Sequence, residues 1–153
     1  MSGSINRFII RVYALIYRDP FHILLSDEYL LDMKMTKFPG GGLHPGEGPA
    51  DCLQRESVEE FGQEIEIISH YYTTDFFQKA LFHDNAQLIS IYYNARFRDP
   101  VRFGISNIPF DFPDGVNGSQ SFRWADIRKT SKEELTFPID RLVFEKLQSG
   151  IIQ

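Results

Sequence analysis

The sequence predicts an α/β domain in which helices pack on the faces of a mixed β-sheet. Three observations predict it. Runs rich in β-branched and aromatic residues read as strands, and two segments read as helices. Strands and helices alternate only in part. Some neighbouring strands are spaced as hairpins, which argues against a purely parallel sheet. The chain has 153 residues, 42% of them apolar, the length and composition of one ordinary globular domain. Residues 1–153 are therefore read as a single domain.

The elements follow in order. Residues 7–18 read as a strand, Asp19-Pro20 as a turn, and His22 to Leu25 as a second strand. Phe38 to Gly42 must be loop on this reading, because three successive glycines are not expected to hold a regular element. A helix is predicted from about Pro49 to Phe61. Proline suits its first position, where the missing N–H costs nothing, and Gly62 suits the left-handed residue beyond its end. Residues 64–72 read as strand. Phe76–Phe82 and Ala86–Phe97 read as a hairpin around His83-Asp84-Asn85. Residues 99–120 are punctuated by proline and glycine and read as irregular. Ser121 to Trp124 reads as a short strand, Ser131 to Leu135 as a helical turn, and Pro138 to Gln148 as a closing helix ending at Gly150.

Composition excludes some functions. The net charge of −5 argues against a domain that holds nucleic acid through its phosphates. A phosphorylated small molecule remains compatible, since a bound metal supplies positive charge locally. Cys52 is the single cysteine, so an internal disulfide and a cysteine-based zinc cluster are excluded. The most apolar N-terminal stretch, Phe8 to Tyr17, is too short to span a bilayer. A cytoplasmic protein without a membrane partner is the expectation, and a homodimer stays open. His22, His44, His70 and His83 show no metal spacing, and Cys52 reads as helix packing.

The chemistry concentrates between Gly40 and Gly62. At about 100° per residue, Glu59 and Glu60 fall about 60° and 40° to either side of Glu56 on the predicted helix. Like charges so placed repel, and a divalent cation relieves the repulsion. All-oxygen ligands suit a hard ion such as Mg²⁺ or Mn²⁺. The glycines Gly40, Gly41 and Gly42 let backbone approach a ligand closely, and a loop feeding a helix N-terminus presents N–H groups to an anion. The opposite arc, Ala50, Leu53, Ser57 and Phe61, reads as the core face. The Ser57 hydroxyl is expected to bond back to the Leu53 carbonyl, since an unpaired buried hydroxyl is costly.

The segment GGLHPGEGPADCLQRESVEEFG resembles the Nudix box: Gly, five residues, Glu, seven residues, Arg-Glu, an apolar residue, any residue, Glu-Glu, any residue, Gly, and a final apolar residue. Gly41, Glu47, Arg55, Glu56, Glu59, Glu60 and Gly62 hold the required spacing. Ser57 and Gln63 stand where the family has apolar residues. The resemblance implies a Nudix fold, a mixed sheet in an α/β/α sandwich, and Mg²⁺- or Mn²⁺-dependent hydrolysis of a phosphoanhydride in a small nucleoside-diphosphate-type substrate. It implies Glu59 and Glu60 as the foremost metal ligands, Glu56 as a further ligand or a base, and Arg55 as the residue orienting a carboxylate. Glu47 and Gly62 would be structural. The alternative is a catalytically silent Nudix-fold module that binds nucleotides or regulates. Relatives often add a carboxylate shortly before a Trp that Trp124 matches. Gly118, Ser119 and Gln120 are not acidic, so Asp84, Asp111, Asp114 or Glu56 remain open for that role. Phe110 and Phe112, in the irregular segment, are candidates to stack on the substrate.

Overall fold

A computed structural model describes residues 4–151; the outermost residues of the predicted 1–153 domain lie outside them. Strands β1 (Arg7–Asp19), β2 (His22–Leu30), β3 (Met33–Lys37) and β4 (Gly40–Gly42) precede helix α1 (Pro49–Phe61). Strands β5 (Ile65–Thr73), β6 (Ala86–Phe97) and β7 (Ser119–Asp126) follow, then a 3₁₀ turn (Lys132–Glu134) and helix α2 (Pro138–Ile151). The sheet runs β3-β2-β1-β6-β5, with β4 paired to β1 and β7 to β2. Only β1 and β6 run parallel, and the other pairs are antiparallel. The predicted mixed α/β sheet is therefore observed.

Alternation along β1 divides the core in two. Val12, Ala14 and Ile16 pack with Cys52, Leu53 and Phe61 of α1. Tyr13 and Leu15 pack with Ile139, Val143, Phe144 and Leu147 of α2. One helix thus covers each face. On α1 the buried residues are Cys52, Leu53, Ser57 and Phe61. Ala50 is exposed, so the core arc is rotated towards Cys52 relative to the predicted one.

Three sequence expectations are corrected. Gly40–Gly42 is a strand: its ladder with Arg11, Val12 and Tyr13 satisfies the backbone that glycine propensity alone would leave free. The segment 76–82 is not a hairpin arm. Its pairing is limited to an isolated bridge from Lys79 to Gln87, with the Ala80 N–H donating to the Ala86 carbonyl and the Leu88 N–H to the Gln78 carbonyl, on the stretch of β6 that β5 leaves open before Ile91. The Ser57 hydroxyl donates to the Gln63 carbonyl at 2.6 Å, not to Leu53, because Gly62 turns the chain back over the helix end with φ 68°. The unpredicted β3 forms a hairpin with β2 through Leu31 and Asp32, both at positive φ. Neither residue is the glycine or asparagine by which such a turn is recognised in a sequence.

Candidate active site

The box loop and α1 are joined by one guanidinium. Arg55 Nη2 donates to Glu47 Oε1 at 2.7 Å and to the Gly42 carbonyl at 2.9 Å, and Nε donates to Glu47 Oε2 at 3.0 Å. Its Nη1 reaches Glu56 at 3.0 Å and Glu59 at 3.4 Å. Glu47 also accepts the His44 N–H at 2.8 Å. The Arg55 bond and then the His44 N–H hold the Glu47 carboxyl down at about 2, and the same bond raises the pKa of Arg55. Asp51 accepts the Gly48 N–H at 2.8 Å at the start of α1.

Gly41 lies against Glu56. A Cβ at Gly41 would come within 2.1 Å of Glu56 Oε1, so only glycine lets that carboxylate lie on the strand. Gly40 is set by backbone instead: at φ 152° its Cβ would meet the Val12 carbonyl at 2.1 Å. Cys52 is buried beneath this loop, and burial pushes its thiol up to about 11. That is the setting of an inert packing thiol rather than a reactive one.

The three box carboxylates point differently. Glu59 is mostly solvent-facing, with 57% of its side chain exposed. Glu56 sits between Arg55 and Gly41. Glu60 turns inward, where burial pushes its pKa up to about 7. Its Oε1 meets the Gln120 amide at 3.4 Å, and its Oε2 is buried with no hydrogen-bond partner. Among the described residues no three His, Cys, Asp or Glu side chains gather at one point as a closed metal cage. The unpartnered Glu60 oxygen nevertheless suits a cation, because a desolvated carboxylate gains most from a positive charge.

None of the three candidate late acids reaches Glu60. Asp111 accepts from the Ser106 hydroxyl, Asp114 faces Lys34 at 3.7 Å, and Asp84 lies in the loop before β6. The structure brings Glu28 there instead. Gln120 Nε2 bonds Ser26 at 2.9 Å and Glu28 at 3.3 Å, and it also contacts Glu60. Glu28 in turn pairs with Lys37 at 3.1 Å. A single strand residue carries no spacing that marks it, so Glu28 left no signal in the sequence.

Beside this network lies a cavity of about 230 Å³ on the α2 face of the sheet. Arg11, Glu28, Lys37, Ser90, Tyr92 and Asp140 supply polar groups to its lining, and Phe82, Leu88 and Phe137 are among its apolar walls. Asp140 is fully buried and accepts the Tyr92 hydroxyl at 2.5 Å, while burial pushes its pKa up to about 6. Its Oδ2 and the Ser90 hydroxyl are buried with no partner. Phe110 and Phe112 are not in this lining. They pack edge to face on each other, with the Phe110 N–H held by Asp27 at 3.2 Å and Lys34 over the Phe110 ring. Asp27 is itself fixed by Arg123 at 2.8 Å and Thr36 at 2.7 Å. That anchor, invisible in the sequence, holds the aromatic pair away from the cavity.

Fold and site together define a class: an α/β sandwich with a carboxylate-bearing helix fed by a glycine strand, the arrangement of a hydrolase acting on phosphorus-containing anhydrides. The NUDIX domain model matches residues 7–143, and the chain belongs to the Nudix hydrolase family. Solved structures agree on the fold. A Nudix hydrolase from Nitrosomonas europaea superposes with a TM-score of 0.67 at 15% identity, covering 95% of this chain and 73% of that one. A MutT protein from Methanosarcina mazei Go1 gives 0.67 at 21% identity, covering 97% and 98%. A UDP-X diphosphatase gives 0.62 at 15% identity, covering 97% and 66%. Among curated proteins none matches. No described helix is long and apolar enough to cross a membrane.

Proposed function

We propose that this enzyme hydrolyses the diphosphate of a nucleoside-diphosphate-type small molecule, with the nucleoside end in the cavity and the diphosphate against α1. The observation that carries this reading is the continuity of cavity and box. Arg11 lines the cavity and pairs in register with Gly42, and Glu28 lines it while sharing the Gln120 amide with Glu60. The unpartnered Asp140 Oδ2 and Ser90 hydroxyl oxygen are acceptors for the N–H groups of a base, and a buried acceptor left unpaired is costly. The apolar walls suit the faces of a flat ring. One structural neighbour is named a UDP-X diphosphatase and another a MutT protein, so nucleotide sugars and nucleoside triphosphates are the classes to try first.

Glu56, Glu59 and Glu60 are the residues that would hold Mg²⁺ or Mn²⁺, with Glu28 near Glu60. Such an ion supplies charge stabilisation at the phosphoryl oxygens and a lower pKa for the attacking water. The protein's own part is positional. Arg55 fixes Glu56, Gly41 gives that carboxylate room, and Glu60 offers a buried carboxylate oxygen with no hydrogen-bond partner of its own. The test is a panel of nucleoside triphosphates, nucleotide sugars, dinucleotides and ADP-ribose with Mg²⁺ or Mn²⁺, scored for nucleotide or phosphate release. The expected result is metal-dependent release of a nucleoside monophosphate from at least one class. Tight nucleotide binding with no turnover on any compound would instead establish the silent binding module.

A further inference from the structure

Three cationic side chains line the cavity, Lys79 at its exposed side and Arg11 and Lys37 deeper in, and the box does not explain the place of the last two. Arg11 donates its Nε–H to the Tyr13 hydroxyl at 2.8 Å and has its guanidinium carbon 5.5 Å from the centre of that ring. Among the described residues it has no carboxylate within salt-bridge distance. A guanidinium carries five N–H donors, so this half-buried group has four left. Lys37 Nζ lies 3.1 Å from Glu28 and 3.4 Å from the Phe38 carbonyl, with only 9% of its side chain exposed. An ammonium has three donors, so one N–H is left.

Both cations stand between the two ends of the site. Arg11 lies within electrostatic reach of Glu56 on one side and Asp140 on the other. Lys37 lies within reach of Glu28 and Glu60, and Asp140 feels both cations. Burial of a cation is unfavourable unless an anion compensates it. Glu28 pairs directly with Lys37, whereas Arg11 has Glu56 and Asp140 only as more distant charge neighbours, so among the described residues its remaining N–H groups have no carboxylate in contact. A planar guanidinium with free parallel N–H groups matches phosphate oxygens two at a time.

We propose that Arg11, assisted by the remaining N–H of Lys37, binds the phosphate that joins the group in the cavity to the rest of the substrate. This rests on the cavity reading above and narrows it: the ligand must be anionic at the cavity neck, as a 5′-phosphorylated nucleoside is. Glu28 keeps Lys37 from adding a second full charge, so the neck suits one phosphate group rather than a run of them. The longer polyphosphate tail then lies along α1 and the glycine strand.

The test is binding without metal. Adenosine, guanosine, cytidine, uridine and their four 5′-monophosphates are titrated calorimetrically into the full-length protein in EDTA. Wild type is expected to prefer at least one monophosphate over its nucleoside by about 10- to 100-fold, the worth of a charge-assisted hydrogen-bond set. Arg11→Gln should abolish that preference while leaving nucleoside affinity within about twofold, and Arg11→Lys should restore part of it. The double variant Glu28→Gln with Lys37→Gln, which removes both members of that ion pair together, should lose a smaller part. If wild type binds nucleoside and monophosphate equally, the phosphate assignment is overturned while the cavity reading stands. If neither binds, both are overturned. Parallel loss of nucleoside and monophosphate affinity in Arg11→Gln would reduce Arg11 to a structural role and also overturn the proposal.

Discussion

The two halves of the site are built by opposite means. In the box half, Glu47, Arg55, Glu56, Glu59 and Glu60 lie within 14 residues of one another, and most of their contacts are made within that stretch. In the cavity half, Arg11 comes from β1, Glu28 from β2, Lys37 from β3, Ser90 from β6 and Asp140 from α2, and no two of those elements are the same. The box is salt-bridged through Arg55, and its carboxylates range from the exposed Glu59 to the inward-turned Glu60. The cavity has largely apolar walls, and two of its buried polar atoms, Asp140 Oδ2 and the Ser90 hydroxyl oxygen, are left unpaired. The contrast teaches that chemistry generic to a family can be written locally, where helix spacing sets geometry. A recognition surface needs the sheet to assemble it.

The largest expected effect lies where the halves meet. Glu60→Gln keeps the bond to Gln120 but removes the charge, and turnover on any substrate found should fall at least about 100-fold. Steady-state kinetics beside an unchanged circular dichroism spectrum measure it. Activity within a few-fold of wild type would detach the box from catalysis.

Gly41→Ala tests the local half alone. The added methyl falls on the Glu56 carboxylate, so either the carboxylate leaves or the strand shifts, at a cost of about 1–3 kcal/mol by denaturant melts. Turnover should fall with it. A variant with wild-type stability and rate would show that Glu56 has freedom the structure does not suggest.

Asp140→Asn tests the cavity half, and its sign depends on pH. The folded-state pKa of about 6 lies above the ordinary 3.8. Wild type therefore loses stability as pH rises from about 4 to about 6, because the unfolded chain gives up its proton first. Asparagine accepts the Tyr92 hydroxyl without ionising. The variant should match wild type near pH 4 and be more stable at pH 7 by on the order of 1–3 kcal/mol. Thermal melts across that range check it; an advantage that does not grow with pH would show that Asp140 carries no burial penalty. The smallest effect is Ser57→Ala, which loses the bond to the Gln63 carbonyl and should cost about 1 kcal/mol. An unchanged melting temperature would mean that the hydroxyl contributes nothing at the helix end.

The sequence by itself determined α1 closely, because proline at its start and glycine at its end act through backbone sterics that no distant contact alters. It determined the box for the same reason: spacing on a helix is geometry. It also carried β1, β5 and β6, whose β-branched and aromatic residues demand burial on a sheet. Parts of β2, β7, the 3₁₀ turn and α2 were legible as well, whereas other features were decided by tertiary structure alone. The triple glycine is a strand only because β1 lends it a ladder. The segment 76–82 is not one because its pairing with β6 stops at a single bridge, Lys79 to Gln87. The Asp27–Arg123 pair, joined across residues 96 apart in the chain, positions the 106–112 loop and sets Phe110 and Phe112 apart from the cavity. Arg11, Lys37 and Asp140 came to line one cavity only when three elements met, since a single buried charge has no periodicity, and its partners are defined by the fold rather than by its neighbours in sequence.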